Sequence, residues 1–235
     1  MTHLRLAAVA FDVPDPARAA EFWAALLHRE AHPGAGSVLL PGSATQVGLR
    51  FVASDAEKTG QAPLHLHLTS DDAEDQRRIV DQALRLGASH LDVGQKPEEG
   101  HVVLADPAGN EFCVIEPHND YLAGCGPLGE VACDGTREVG LFWAEALDWP
   151  LVWEHEQETA VQSPAGGTKV AWGGPPLLPR HGRNRQRFDL ELVDATLADE
   201  LERLIGLGAR VLHREGGGAV ALADPDGNEF QILPG

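Results

Sequence analysis

Two histidines on one short segment are the residues in this sequence with the clearest capacity for chemistry. His65 and His67 lie in PLHLHLTS, where apolar and polar residues alternate as they do in a half-buried β-strand. Side chains two residues apart on a strand point to the same face, so we expect the two imidazoles to face one side together. Such a pair can clamp a metal ion, or it can line a polar cleft and hydrogen-bond to its neighbours. Both interpretations are open at this point.

An internal repeat indicates which elements position these histidines. Three pairs of similar segments recur in the same order: 10–27 with 132–147, 84–88 with 205–209, and LADPAGNEF at 104–112 with LADPDGNEF at 222–230. This order predicts a duplication of the whole chain. The DPxGNEF residues are typical of a hairpin turn, because Pro restricts φ while Gly and Asn tolerate positive φ. We therefore interpret both copies as tight turns that precede a strand.

Each half of the chain contains two smaller units of the same kind. Residues 4–28 are predicted to form a strand and then a helix capped by Asp15, and residues 63–87 repeat this with Asp71 or Asp72 as the cap. Short strand candidates follow each helix. The pattern predicts an α+β fold with a βαβββ unit four times over. We place the two tandem domains at 1–118 and 126–235, with a linker at about 117–129.

The composition argues against several classes of partner. A formal net charge of -18 disfavours nucleic acid and anionic lipid, and it favours cationic ligands over a long range. No apolar run approaches the roughly 18 residues of a membrane span. Three cysteines without CxxC spacing fit a reducing compartment better than a disulfide scaffold. We expect a cytoplasmic protein with a small-molecule ligand, either monomeric (a pseudo-dimer by fusion) or homodimeric, without nucleic-acid or membrane partners.

The repeated units, the LHLHL strand, the LGA helix ends and the DPxGNEF turns together resemble the vicinal oxygen chelate superfamily. That superfamily includes glyoxalase I, the bleomycin-resistance proteins and the extradiol dioxygenases. The resemblance covers nearly the whole chain as two tandem glyoxalase-like domains. It implies that in each domain two βαβββ units curl their sheets into a half-barrel around a cleft. It also implies that metal-dependent members carry a His on the first strand, a His on the fifth and a Glu on the last.

This sequence departs from that metal-binding pattern in both halves. The corresponding positions are Ala8, His65 and Cys113 in the first half and Glu130, Arg187 and Gln231 in the second. An alanine cannot bind a metal, and a permanently charged guanidinium repels one. Cys113 is either a soft-metal ligand or a small buried hydrophobe. We therefore expect no cofactor, with a divalent metal as the alternative. The candidate metal ligands are His65, His67, Cys113 and Glu130, and a composite site drawn from both halves would use His65 and Glu130.

Further residues are candidates for contact with a ligand. Arg187 and Asp189 stand where His65 and His67 stand in the other half, and they either orient a ligand or form a buried ion pair. Three tryptophans of the second half, Trp149, Trp153 and Trp172, either form an aromatic wall of a cleft or fill the core. Trp23 and Trp143 follow a Phe at matching helix positions and are expected in the core.

We predict a glyoxalase-like protein with a degenerate metal site that binds a small organic molecule in a half-barrel cleft, in the manner of a sequestering protein or of an enzyme. The alternative is a divalent-metal-dependent lyase, isomerase or dioxygenase that acts on a substrate with two adjacent oxygens. A cationic ligand is a further alternative. The residues expected to contact the ligand are His65, His67, Glu130, Trp149, Trp153, Trp172, Arg187, Asp189 and Gln231.

Overall fold

Four βαβββ units follow one another along the chain, as the sequence predicts. The computed structural model describes residues 3–56, 62–96, 98–179 and 184–234. The first two units consist of β1 (Leu4–Val13), α1 (Pro16–Leu27), β2 (His32–Gly34), β3 (Ser37–Leu40) and β4 (Gly48–Ala53), then β5 (Leu64–Leu68), α2 (Ala73–Arg85), β6 (Ser89–His90), β7 (Val102–Ala105) and β8 (Glu111–Val114).

The second half repeats this order after a short 3₁₀ helix, Asp120–Leu122. Its two units consist of β9 (Leu128–Cys133), α3 (Arg137–Leu147), β10 (Leu151–His155), β11 (Glu158–Gln162) and β12 (Lys169–Trp172), then β13 (Gln186–Leu192), α4 (Leu197–Gly206), β14 (Arg210–Arg214), β15 (Val220–Ala223) and β16 (Glu229–Leu233). Asp15 and Asp72 cap α1 and α2 through side-chain hydrogen bonds, so Asp72 rather than Asp71 is the second cap.

The strands form two eight-stranded sheets, and each sheet takes one unit from each half of the chain. Sheet A has the order β14-β15-β16-β13-β1-β4-β3-β2 and joins the first and fourth units. Sheet B has the order β10-β11-β12-β9-β5-β8-β7-β6 and joins the second and third units. The α+β class with two curved, open sheets is confirmed. In both sheets the first strands of the two units pair antiparallel, β1 with β13 and β5 with β9.

Aromatic side chains on the helices hold the two units of one half together. Trp23 on α1 packs edge-to-face on Phe112 of the next unit, with ring centroids 5.0 Å apart. Trp143 on α3 packs in the same way on Phe230, also at 5.0 Å. The two tryptophans are 0% and 1% exposed, so their predicted core role is confirmed. Units of one half therefore join through helix packing, while units of opposite halves join through strand pairing.

The duplicated turn anchors these tryptophans. The indole Nε1 of Trp23 donates to Asp106 at 2.9 Å, and that of Trp143 donates to Asp224 at 3.2 Å. Each aspartate also accepts hydrogen bonds from its own turn, including the side-chain amide of Asn110 or Asn228. Gly109 and Gly227 adopt φ of 79° and 83°, which glycine reaches without a steric penalty. The tight-turn interpretation of DPxGNEF is confirmed, and the aspartate adds a link to the helix of the other unit in the same half, α1 or α3.

In the described segments, no helix is both long and apolar enough to cross a membrane. The three cysteines are free thiols.

Asp224 generates a prediction about stability and pH. Burial raises the pKa of this carboxyl to about 6, because its effect exceeds the opposing effect of the hydrogen bonds from Asn228 and Trp143. The folded state therefore binds a proton more tightly than the unfolded chain, in which an Asp has a pKa of about 3.9. We expect Asp224 to lower the free energy of unfolding by on the order of 2 kcal/mol as the pH rises from about 4 to about 6.

Denaturant unfolding of the wild type and Asp224→Asn across this pH range measures the effect. The variant should lose this part of the pH dependence, whereas Asp92→Asn, at an exposed turn, should keep it. Parallel stability curves for the wild type and Asp224→Asn would contradict the prediction.

Candidate functional site

Four polar side chains lie in one row across sheet B. His67 on β5 is opposite Glu130 on β9 and beside Cys113 on β8. Glu130 is in turn beside Lys169 on β12. Side chains alternate between the two faces of a strand. Leu66 and Val131 point into the core, so this polar row lies on the opposite face of the sheet. His65 lies one row along on the same face, opposite Ala132. The predicted common face of the two histidines is thus present.

A hydrogen-bonded chain connects the middle of this row to the linker. His67 Nδ1 lies 2.7 Å from one carboxylate oxygen of Glu130, and Tyr121 Oη donates to the other at 2.6 Å. Tyr121 belongs to the 3₁₀ helix between the two halves. Lys169 Nζ donates to the backbone carbonyl of Tyr121 and lies 4.0 Å from the centre of its ring. The linker is therefore part of the site rather than a plain connector.

The two histidines have opposite protonation behaviour. Burial lowers the pKa of His65 to about 4, with a further contribution from the nearby His67, so His65 is neutral at neutral pH. Burial also disfavours the charged form of His67, but its hydrogen bonds with Cys113 and Glu130 outweigh this and raise its pKa to about 9. Burial alone would raise the pKa of Glu130, yet the contacts with His67 and Tyr121 hold it below its usual value. Burial and the adjacent Glu130 raise the pKa of Tyr121.

These groups open onto a cavity of about 400 Å³. Its aromatic side contains Tyr121 and Trp153, whose ring centroids are 5.6 Å apart in an edge-to-face arrangement. Trp153 is 42% exposed, whereas Trp172 is 1% exposed and its side chain packs in the core. The residues that line the cavity are His65, His67, Tyr121, Glu130, Ala132, Cys133, Trp153, Glu158, Thr159, Ala171, Trp172 and Gly173.

One group of side chains at this site could hold a metal ion. The donor atoms of His65, His67 and Cys113 all lie within 4.8 Å of one another. Glu130 accepts from Nδ1 of His67, which leaves Nε2 for a metal and is a common way to orient a metal-binding imidazole. Two imidazoles and a thiolate suit a soft divalent ion such as Zn²⁺ and leave a position open for a ligand. The residues present on sheet B therefore fit a metal, although with a different donor set from the His, His and Glu of the superfamily.

The equivalent face of sheet A does not fit a metal. Ala8 is opposite Asp189, and Gln231 is beside Asp189 on the next strand. The two oxygens of Asp189 accept hydrogen bonds at 2.7 Å from Arg50 Nε and from Gln231 Nε2. Burial raises the pKa of Asp189 despite the adjacent arginines. The guanidinium of Arg50 already neutralises the carboxylate of Asp189, so this carboxylate is not available to a metal ion.

Arg187 and Asp189 do not form a buried ion pair with each other, which is one of the two interpretations of these residues from the sequence. Arg187 Nη1 bonds to Asp12 at 2.7 Å, and both side chains are nearly inaccessible. Asp189 bonds to Arg50 instead. Arg187 and Asp189 are thus each in an ion pair with the first half of the chain. The partner of Arg187 lies on β1, and the partner of Asp189 lies on β4.

The residues predicted to contact a ligand thus fall in three places. Sheet B brings together His65, His67, Glu130, Trp153 and Trp172, and sheet A brings together Arg187, Asp189 and Gln231. Trp149 lies apart from both, partly buried between the halves beside Leu4 and Thr168. Sequence reasoning missed Tyr121, Glu158 and Lys169. The only available signal was that Tyr121 is the single tyrosine of the chain and lies in the linker.

Comparison with known proteins agrees with this architecture. A family model described as a glyoxalase-like domain matches residues 8–115 and again residues 130–233. The crystal structure of glyoxalase I from Zea mays has a TM-score of 0.67 and 13% identity, covering 98% of this chain and 92% of that chain. A "putative dioxygenase" from Bacillus subtilis subsp. subtilis str. 168 has a TM-score of 0.66 and 12% identity, covering 98% and 85%. At these identities the similarity shows the fold alone. A search of curated proteins found no match.

The contact between His67 and Glu130 generates a prediction that NMR can check. In metal-free protein, we expect His67 to titrate with a pKa near 9 and His65 with a pKa near 4. Glu130→Gln removes the negative charge beside His67, so the His67 pKa should fall by roughly 2 units or more.

Glu158→Gln is the matched control, since it removes one charge from the same cavity without contact to His67. It should leave the His67 pKa unchanged. A wild-type His67 pKa at or below 6.5, the value of an unperturbed imidazole, would show that the chain of hydrogen bonds does not form in solution.

Proposed function

Because this chain belongs to the glyoxalase-like domain family, within the vicinal oxygen chelate superfamily, we propose that the cleft of sheet B binds a small organic molecule. The observation that carries this proposal is the cavity of about 400 Å³ where imidazoles, a buried carboxylate and aromatic rings converge. Small-molecule sites in proteins commonly have this size, with apolar walls and a few convergent polar groups.

The polar groups of the cavity are suited to orienting a ligand. His65 is neutral at neutral pH, so its ring can donate or accept a hydrogen bond. Glu130 is held by His67 and Tyr121, which restricts its position before any ligand enters. Binding to groups that are already ordered loses less entropy than binding to mobile ones. Ala132 and Ala171 contribute only small side chains to the cavity lining, which leaves room for the ligand.

The contrast between the two sheets supports a site on sheet B rather than sheet A. On sheet A, Asp189 is 0% exposed and is bonded to Arg50 and Gln231. Arg187 is bonded to Asp12. The carboxylates of Asp189 and Asp12 are therefore already bonded and shielded from solvent, and have little to offer a ligand. We infer that the described part of sheet A has a structural role.

The donors His65, His67 and Cys113 favour a second candidate function, a metal-dependent lyase, isomerase or dioxygenase. A divalent metal at this position would supply Lewis-acid activation of two adjacent ligand oxygens. The three donors would hold it, and Glu130 would orient His67 through Nδ1. Tyr121 would hold Glu130 in turn through its hydroxyl. This candidate differs from the first in requiring the metal.

The cytoplasmic location stays a prediction, supported by the three free cysteines and checked by cell fractionation. The absence of nucleic-acid and membrane partners stays a prediction as well.

The binding proposal predicts that filling the cavity weakens ligand binding. Compounds that raise the melting temperature in a metabolite screen should shift the ring resonances of His65 and His67, but not those of His213 on the edge strand of sheet A. Ala132→Leu places a larger side chain on the cavity floor and should weaken their binding about tenfold or more. The exposed control Ala165→Leu should have no effect. If Ala132→Leu binds these compounds as the wild type does, the ligand lies elsewhere.

The metal candidate predicts one divalent ion per chain in untagged protein expressed with metal supplementation, measured by elemental analysis. Cys113→Ala and His67→Ala should each lose it, because they remove one donor of three. His101→Ala, outside the donor set, should retain it. Less than stoichiometric metal in the wild type, or full retention in both donor variants, would eliminate this candidate.

A further inference from the structure

The outer end of the sheet B cleft carries an exposed aromatic wall. Trp153 lies on the edge strand β10, is 42% exposed and lines the cavity. The other four tryptophans are buried or half-buried. Tyr121 supports Trp153 from the side with an interplanar angle of 76°, so the indole is braced in place. An exposed, braced ring at the mouth of a cavity is a typical stacking surface for a planar ligand.

The charges around this wall leave one carboxylate available. Among the described residues that line the cavity, Glu130 and Glu158 are acidic and none is Lys or Arg. Glu130 is already bonded to His67 and Tyr121. No described residue forms an ion pair or hydrogen bond with the side-chain carboxylate of Glu158, which lies across the β10–β11 hairpin from His155.

Two basic side chains on the strands either side of β11, Lys169 and His155, have other contacts. Lys169 lies against the ring of Tyr121 and donates to its backbone carbonyl. His155 packs near Trp153, with ring centroids 6.2 Å apart. Trp153, His155 and Glu158 share one face of the hairpin, because they lie two residues apart or directly opposite each other. An indole face and a free carboxylate are therefore presented side by side.

We propose that the ligand of the sheet B cleft is a planar organic cation, with its ring against Trp153 and its charge toward Glu158. This inference rests on the proposed binding function and adds the chemical class of the ligand. Cation–π attraction to the indole and Coulomb attraction to the carboxylate act in the same direction. The formal net charge of -18 adds a long-range field that concentrates cations near the protein.

Three probes that share one tricyclic ring test the charge preference. They are N-methylacridinium, acridine at a pH where it is uncharged, and acridine-9-carboxylate, each titrated by calorimetry into chelator-treated protein. We expect the cation to bind about tenfold more tightly than neutral acridine, and the carboxylate to bind most weakly. Equal or tighter binding of the neutral or anionic probe would overturn the inference.

Two variants separate stacking from charge. Trp153→Ala removes the stacking surface and should weaken the binding of N-methylacridinium about tenfold. Glu158→Gln should weaken it about threefold and leave acridine unaffected. The controls are Val152→Ala, at the β-bulge beside Trp153 and outside the cavity lining, and Glu154→Gln, which removes one charge from a residue paired with Arg137 outside the cavity. If the controls weaken binding as much as Trp153→Ala and Glu158→Gln do, the assignment of these two residues is wrong.

The outcomes distinguish this inference from the proposed function. Metabolites that bind wild type but not Ala132→Leu, together with probes that show no preference for the cation, would retain the cleft and reject the cation. Tight binding of acridine-9-carboxylate only after zinc is added would also reject it, in favour of the metal candidate. Failure of both the metabolite screen and the three probes would reject the binding function itself.

Discussion

The antiparallel pairing of β5 with β9 places His67 opposite Glu130, and the site on sheet B depends on this register. A shift by one residue would turn either side chain to the other face of the sheet, since side chains alternate along a strand. The parallel pairing of β5 with β8 then brings in Cys113, and that of β9 with β12 brings in Lys169. Residues from four strands, two in each half of the chain, are in this way assembled into a single row.

The same constraint acts on sheet A, with a different chemical result. The pairing of β1 with β13 places Ala8 opposite Asp189, so this acidic side chain faces an alanine instead of a histidine. Arg50 and Gln231 occupy both oxygens of Asp189 instead. The same backbone arrangement thus carries an open polar cavity on sheet B and buried ion pairs on sheet A. Duplication allows this difference, because the two sheets carry different side chains on the same backbone arrangement.

Two kinds of contact interlock the halves and keep the site in place. Strand pairing joins units of opposite halves, and the Trp23–Asp106 and Trp143–Asp224 contacts join units of the same half. The linker contributes directly, because Tyr121 reaches Glu130 and supports Trp153. Separating the halves would therefore divide sheet B between its β5 and β9 strands and remove the partner of His67.

The sequence by itself determined the four βαβββ units, the two tight turns, the buried role of Trp23 and Trp143, and the shared face of His65 and His67. These features follow from local rules: strand and helix periodicity, cap residues and turn residues act over a few positions. The resemblance to the superfamily offered a composite metal site of His65 and Glu130, which stays a prediction; the structure places both residues in the lining of one cavity.

Only the tertiary structure decided which units share a sheet, and hence that Glu130 meets His67 rather than His65. Only the structure shows that Asp189 pairs with Arg50, that Trp149 lies apart from the cleft, and that Tyr121 contacts Glu130 in the cleft. The physical reason is that the pairing of strands far apart in the chain depends on packing between whole units. Periodicity gives the face on which a side chain lies, but it carries no information about the neighbouring strand.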